Sequence, residues 1–450
     1  MRDFARSDSP AVQAQLDRLG ALSVPQGRLG LATMRQLMGR LGNPHLRLPP
    51  VLHVAGTNGK GSTCAFLRAM LEAGGHTVHV TTSPHLVRYN ERIRVAGQLI
   101  SDERLATLLG EILDTGADLD PSFFEVTMAA AFTEFARVPA DACIVEVGLG
   151  GRFDATNVID SPIACGIAAL GLDHERFLLE PEEGTPDDPI ARIAFEKFGI
   201  AKTGAPLSML APPPAALDTV LDLAREKAID LKMEGRDWWV QRDGIANVYT
   251  QQSVEIELGQ PALPGAHQVR NAGLAAAMLQ SQGTIEVSAD AIRKGVRRAT
   301  WPARLQILDD GPLTRLIPHC EWLLDGGHNV QAAEMLASYF AGLPKTPRHA
   351  IVGMLEAKDW RGFMRLLAPH FRSLVAVPVP GHESAEPSHV ANFAKSCGMA
   401  NAATADNIEM ASGELVKMAR PANAPVGQIF VGGSLYLAGK VLELNRQLPD

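Results

Sequence analysis

The chain has 450 residues, room for two or three domains, and its 46% hydrophobic and 20% charged content is that of a globular protein with ample core. A net charge of -8 argues against wholesale nucleic-acid binding, so an anionic ligand would need a local cluster of donors. The polar opening "MRDFARSDSP" lacks the apolar core of a signal peptide, no run of about 18 apolar residues suggests a membrane span, and the five scattered cysteines form no CxxC pair, which points to a reducing cytoplasm.

In chain order, "VLHVA" (51–55) is an apolar run between Pro50 and Gly56 and reads as a buried strand. The glycine-rich "GTNGKGS" follows. From Ser62, the residues Ala65, Phe66, Ala69, Met70 and Ala73 recur at helical spacing until Gly74-Gly75 stops them. "HTVHVTTS" is the next strand, which completes a βαβ unit. "ACIVEV" (142–147) and "ACGIAAL" (164–170) are further strands. The stretch 180–260 has an acidic patch, a proline run and the β-like "NVYTQQSVEIEL", and resists placement. Two helices follow, "GAHQVRNAGLAAAMLQSQG" and "ADAIRKGVRRA", and Trp301-Pro302 then breaks the helix, so the domain boundary is expected near it. Beyond it "CEWLLD", "HAIVGML", "SLVAVPV" and "QIFVG" read as strands alternating with helices, a smaller doubly wound domain. The expectation is an α/β protein in two parts, 1–297 and 298–450.

The loop after the first strand departs from the spacing G-x-x-x-x-G-K-[ST], because Val54 stands five before Gly59 and Gly61 follows Lys60. Its physics is still that of a phosphate loop. Gly56, Gly59 and Gly61 allow close backbone approach, the helix N-terminus aims N–H groups at an anion, and Lys60 adds a point charge. Ser62 or Thr63 offers a hydroxyl near a metal. The bland reading is a glycine turn with a solvated lysine.

Ser83, Glu146 and His174 end or follow apolar strands, at the edge where open parallel sheets bind ligands. Hydroxyl, carboxylate and imidazole with phosphate oxygens would complete a magnesium shell. Each has an ordinary alternative: Ser83 could open a turn at Pro84, Glu146 could pair with Arg152, and His174 could be a core histidine. "GLGGRFD" (148–154) is not a dinucleotide motif, since Phe153 stands where the last glycine belongs.

The segments "HVAGTNGKGS", "TTSPHLVRYNERIRV", "FFEVTMAAAF", "VEVGLGGRFDATN", "LGLDH", "EKFGIAKTGAP", "HQVRNA", "WPARLQ", "LDGGHN" and "VGGSLYLAG" run in order from residue 53 to 439. In them the chain resembles the bifunctional folylpolyglutamate synthase/dihydrofolate synthases of the Mur ligase superfamily. The resemblance implies a P-loop-type parallel-sheet domain that binds ATP and a pterin, then a smaller Rossmann-like glutamate ligase domain. It implies an ATP-dependent amide ligase that activates a pterin-bearing carboxylate as an acyl phosphate and joins it to L-glutamate. The substrates would be dihydropteroate or folates, L-glutamate and ATP, with two magnesium ions, handled by a cytoplasmic monomer without nucleic-acid or membrane partners.

By the same resemblance Asn58, Gly59, Lys60, Gly61 and Ser62 would hold ATP phosphates, and Asn271, Arg304 and Asp325 would contact the nucleotide. Ser83, Glu146 and His174 would ligate magnesium. Phe123, Phe124 and Glu125, with Phe153, Asp154 and Ala155, would face the pterin substrate. Lys197 in "FEKFGIAK" matches a lysine carbamylated by carbon dioxide, and Lys60, Lys197 and His174 would be catalytic. His328 lies in a motif of the catalytic surface, with no role assigned to it. The segment between His174 and Lys197 is longer and more acidic than in the family. A Mur-type peptide ligase and an ATP-binding module without catalysis are the competing readings.

Overall fold

The computed structural model describes residues 6–22, 30–180, 182–244, 246–344, 346–399, 401–419 and 427–450. The first five residues of the polar opening stretch therefore lie outside it. The chain divides into two compact units: residues up to 262 with 268–300 and Asp450, and residues 263–267 with 301–449.

In the first unit the strands are β1 (Val51–Ala55), β2 (Val78–Thr81), β3 (Ile93–Val95), β4 (Gln98–Leu99), β5 (Ala142–Glu146), β6 (Ala164–Ile167), β7 (Leu207–Met209) and β8 (Leu231–Met233). Among the described residues they form one sheet in the order β4-β3-β2-β5-β1-β6-β7-β8. β1 lies at its centre, parallel to β5 on one side and β6 on the other. This is why "VLHVA" is apolar throughout rather than alternating: both faces are covered, and all five residues are buried. Its one polar member, His53, shares a 2.9 Å hydrogen bond through Nε2 with Thr156 Oγ1. Burial, aided by the charge of Lys202, lowers its pKa to about 3, so the imidazole is neutral.

The helices are α1 (Pro10–Gly20), α2 (Ala32–Arg40), α3 (Lys60–Ala73), α4 (Asp102–Thr115), α5 (Phe123–Arg137), α6 (Glu175–Leu178), α7 (Pro189–Phe198), α8 (Pro214–Glu226), α9 (Ala266–Ser281) and α10 (Ala289–Arg298). One apolar cluster gathers α1, α2, α4 and α5 with Cys143 and Val145 of β5. Another gathers Ala194 and Phe198 of α7 and Val220 and Leu223 of α8 with β6 and β7. Local sequence sets the starts of several helices. Ser101 and Ser122 cap α4 and α5, and Asp188 caps α7 ahead of Pro189.

The stretch that resisted placement, 180–260, is regular. It supplies α7, β7, α8 and β8, then a separate antiparallel sheet of β9 (Trp238–Asp243), β10 (Ala246–Gln251) and β11 (Val254–Glu257). The helix expected from Ser62 begins two residues earlier, at Lys60, because Gly59 takes the left-handed conformation (φ 88°) that turns loop into helix.

The second unit holds β12 (Gln306–Ile307), β13 (Glu321–Leu324), β14 (Arg348–Val352), β15 (Ser373–Ala376), β16 (Asn401–Thr404) and β17 (Gln428–Gly432), in the order β12-β13-β17-β14-β15-β16. All pairs are parallel except the edge pair β12–β13. The helices α11 (Val330–Ala341), α12 (Trp360–Leu367), α13 (Pro387–Ser396), α14 (Ile408–Ala419) and α15 (Leu435–Leu444) connect or follow the strands. Phe340, Phe371 and Phe430 pack as an aromatic cluster with ring centroids 5.0–5.5 Å apart. This is the smaller doubly wound α/β domain expected from the strand and helix alternation.

Candidate active site

The loop between β1 and α3 is built by contacts on both sides. Thr57 and Asn58 donate their N–H groups to Ala169 O at 2.8 and 3.2 Å, which ties the loop to the chain after β6. Thr57 Oγ1 donates to Gly171 O at 2.9 Å. Lys60 Nζ folds over the loop and donates to Gly56 O at 2.9 Å and Thr57 O at 3.3 Å. Ser62 Oγ accepts from Gln268 Nε2 at 3.3 Å, and Asn271 Nδ2 donates to Gln268 Oε1 at 3.1 Å. Thus Asn271 stands against Gly59, and α9 backs the loop. Gly61 and Ser62 lie in the first turn of α3, where free N–H groups and the helix dipole favour an anion.

Glu146 closes β5 opposite Val54, the residue before Ala55 in β1. Its Oε2 accepts from the Ser83 backbone N–H at 3.1 Å. Two of the three expected metal ligands are therefore in contact. Burial and the Glu146 charge push the Cys64 thiol up while Lys60 opposes them, which places carboxylate and ammonium around one thiol. The alternative partner for Glu146 fails: Arg152 binds Glu182 and Glu196 instead. His174 has φ 54° and immediately precedes α6. It is one-third exposed, with its Nε2 3.9 Å from Asp173 Oδ2, so it is not a core histidine. Among the described residues, no three His, Cys, Asp or Glu side chains gather as a metal shell.

Lys197 lies in the last turn of α7 and is buried. Burial lowers its pKa to about 7; the positive charge of Lys60 adds to this, and Asp173, Asp154 and Glu196 oppose it. The two lysines expected to be catalytic thus share one electrostatic neighbourhood. Asp154 is also buried, and burial raises its pKa against hydrogen bonds from Thr156, Leu149 and Gly148. Its carboxylate caps the short helix that Ala155 begins.

The expected pterin positions are set differently from one another. Phe124 rests its ring on Gly148, where a Cβ would lie 2.4 Å from Phe124 Cζ. Phe123 meets Tyr89 edge-on at 5.9 Å, with the Arg92 guanidinium 5.4 Å from its centroid. Phe153 stacks under Arg152 at 4.2 Å. Glu125 is committed locally: its Oε2 accepts from Ser122 N and Ser122 Oγ, both at 2.8 Å, as a capping box.

In the second unit Asp325 Oδ2 accepts from Leu305 N at 2.9 Å, and Oδ1 from Gly327 N at 2.7 Å. Arg304 Nη1 donates to Ala303 O at 2.8 Å, and His328 Nδ1 lies 3.2 Å from Gly326 O. Arg304, Asp325 and His328 are thereby gathered around one turn. His267 joins them: burial lowers its pKa, Asp325 opposes this and Arg304 reinforces it. Sequence reasoning missed His267, Asp173 and the role of Arg152. Asp173 could have been found from its place beside His174.

Residues 316–444 match the family model described as dihydrofolate synthetase, C-terminal domain. The dihydrofolate synthase/folylpolyglutamate synthase of Bacillus subtilis (strain 168) is 35% identical over 365 residues, covering 76% of this chain and 81% of the relative. The chain belongs to the dihydrofolate synthase/folylpolyglutamate synthase family. The relative from Escherichia coli (strain K12) is also 35% identical, over 79% of each chain. Among solved structures, E. coli FolC in complex with DHPP and ADP superposes with a TM-score of 0.84 at 30% identity, covering 98% of this chain and 99% of that one. Folylpolyglutamate synthase of Mycobacterium tuberculosis complexed with ADP gives 0.85 at 28% identity, over 98% and 99%. Members of this family are ATP-dependent glutamate ligases of folate metabolism, and this chain is one of them. The fold is the Mur-ligase-like α/β arrangement that the motifs implied. Among the described residues no helix is long and apolar enough to cross a membrane.

Proposed function

We propose that the chain joins L-glutamate to the carboxylate of dihydropteroate, of reduced folates, or of both. The observation that carries this reading is the shared neighbourhood of Lys60 in the Gly59–Ser62 loop, the Glu146–Ser83 pair at the end of β5, and Lys197. The names of the relatives support it, as do solved neighbours holding DHPP with ADP, or Mn, AMPPNP and L-glutamate.

The acceptor carboxylate attacks the γ-phosphorus of ATP, the bond to the ADP oxygen breaks, and an acyl phosphate forms. The glutamate amine then attacks the acyl carbon, loses a proton and expels phosphate. Phosphoryl transfer of this kind needs positioning and charge neutralisation more than covalent help from the protein. The first-turn N–H groups of α3 and Lys60 supply both, with Asn58, Gly59, Gly61 and Ser62 shaping the cradle. Asn271 backs Gly59, and Arg304 and Asp325 are the proposed nucleotide contacts of the second unit. Phe123, Phe124, Glu125, Phe153, Asp154 and Ala155 are the proposed pterin-facing positions.

A carboxylate, a hydroxyl and an imidazole suit a hard divalent cation, and Glu146 with Ser83 and His174 would hold one magnesium ion of two. When bound, the ions neutralise charge on the phosphates. Lys197, with its pKa lowered to about 7, is partly neutral near physiological pH. A neutral amine can capture carbon dioxide and become the carbamate implied for this position. The chain is proposed to work as a cytoplasmic monomer.

The test is glutamate-dependent release of ADP with dihydropteroate, tetrahydrofolate and a cell-wall peptide precursor supplied separately. Turnover with a pterin and none with the peptide precursor is expected; the reverse pattern refutes the reading.

A further inference from the structure

The loop Leu149–Asp154 is fastened to the last turn of α7, the turn that carries Lys197. Arg152 N–H donates to Glu196 O at 2.8 Å, and Asn157 Nδ2 spans Arg152 O and Gly199 O at 3.0 and 3.1 Å. The chains approach so closely that a Cβ on Gly199 would lie 2.5 Å from Arg152 Cα. The Arg152 side chain adds a second tie, with Nη2 and Nε reaching the two Glu196 oxygens at 2.8 and 3.2 Å. The outer edge of the same guanidinium is taken by Glu182. Arg152 Nη1 donates to Glu182 Oε1 at 3.2 Å, and Nη2 meets Oε2. Glu182 also reaches Arg192 of α7 at 3.3 Å, and Arg192 lies 3.3 Å from Glu196. Two arginines and two glutamates therefore close a ring. Arg152, Phe153, Glu182 and Glu196 also line a cavity of about 120 Å³.

We propose that Glu182 is a positioning residue for the ligase reaction, acting through Arg152 to fix the Lys197 turn against the loop that carries Phe153 and Asp154. This rests on the proposed part of Lys197 in that reaction. The geometry favours it over a passive surface pair. Arg152 is planar and doubly engaged, so removing the Glu182 charge frees half of its fork and loosens its hold on Glu196. Arg192 is buried, so solvent cannot supply the counter-charge that it too would lose with Glu182. A misplacement of a reacting group by about an ångström can cost up to about a hundredfold in rate.

The test compares the full-length wild type with Glu182→Gln and Glu183→Gln. Both variants remove one negative charge from the same segment, but Glu183 is exposed and outside the ring. Glu182→Gln is expected to lower kcat about tenfold with KM for ATP unchanged, and to speed hydrogen exchange across 193–201. Glu183→Gln is expected to match the wild type in both. Exchange in Glu182→Gln equal to that in Glu183→Gln overturns the clamp, and faster exchange with an unchanged kcat overturns the positioning role. A loss of ATP affinity in step with kcat also overturns it, as a sign of general loosening. A wild type that turns over no pterin refutes the proposed function instead, while exchange still decides whether Glu182 holds the turn.

Discussion

Asn271 Oδ1 stands where a side chain on Gly59 would begin: a Cβ there would lie 2.6 Å away. Gly59 also has φ 88°, in the left-handed region where L side chains are strained. Gly59→Ala must therefore displace Asn271 or deform the loop. The expected outcome is loss of the thermal shift that ATP gives the wild type, with the protein still folded. An undiminished shift refutes the loop as the phosphate site.

Lys60→Ala should cut kcat by a factor equivalent to about 3–4 kcal/mol of transition-state stabilisation, the scale seen for single electrostatic stabilisers. Among the described residues its ammonium bonds the carbonyls of its own loop, Gly56 and Thr57, so urea unfolding should change little. A near-wild-type rate counts against its proposed role.

The lowered pKa of Lys197 makes a stability prediction with a definite sign. Below about pH 7 the amine is charged in folded and unfolded chains alike, and the cost of burying it is fully present. From there up to its ordinary 10.5 the unfolded chain binds more protons, so this group makes stability rise with pH. Urea midpoints at pH 7, 8 and 9 should climb more steeply in the wild type than in Lys197→Met. Parallel slopes contradict the burial argument.

Asp325→Ala should destabilise the second unit even without nucleotide. The carboxylate accepts from two backbone N–H groups, Leu305 and Gly327, and each orphaned donor costs about 1–3 kcal/mol. A fall of roughly 2 kcal/mol or more in the unfolding of that unit is expected. Activity lost in this variant would then not by itself prove nucleotide contact, whereas unchanged stability would leave ligand contact as the cause.

The parts of the fold written in local pattern were legible. The run 51–55, the glycine loop and the spacing of α3 mark one βαβ unit because Pro50, Gly56 and Gly74 punctuate it. The sheet β9–β11 was less so, since β10 alternates buried and half-buried residues while β9 and β11 are largely exposed. The candidate site was proposed mainly from family motifs. Nothing local ties Gly59 to Asn271 or Arg152 to Glu182, because these contacts depend on how distant segments fold together. Glu125 is the opposite case. Its S-x-x-E spacing from Ser122 is a capping signature that sequence alone could have read.

Val54 and Glu146 are partners in the β1–β5 ladder, on strands separated by about 4.8 Å. The gap between the phosphate loop and the carboxylate is thus ruled by backbone hydrogen bonds, as graduations are ruled on a scale. Exchanging core side chains around the sheet leaves that ruling untouched. Deleting one residue within Ala142–Val145 would shift the scale by one division and turn Glu146 to the opposite face. For this reason a lineage could remodel its core freely while keeping the length of this strand fixed.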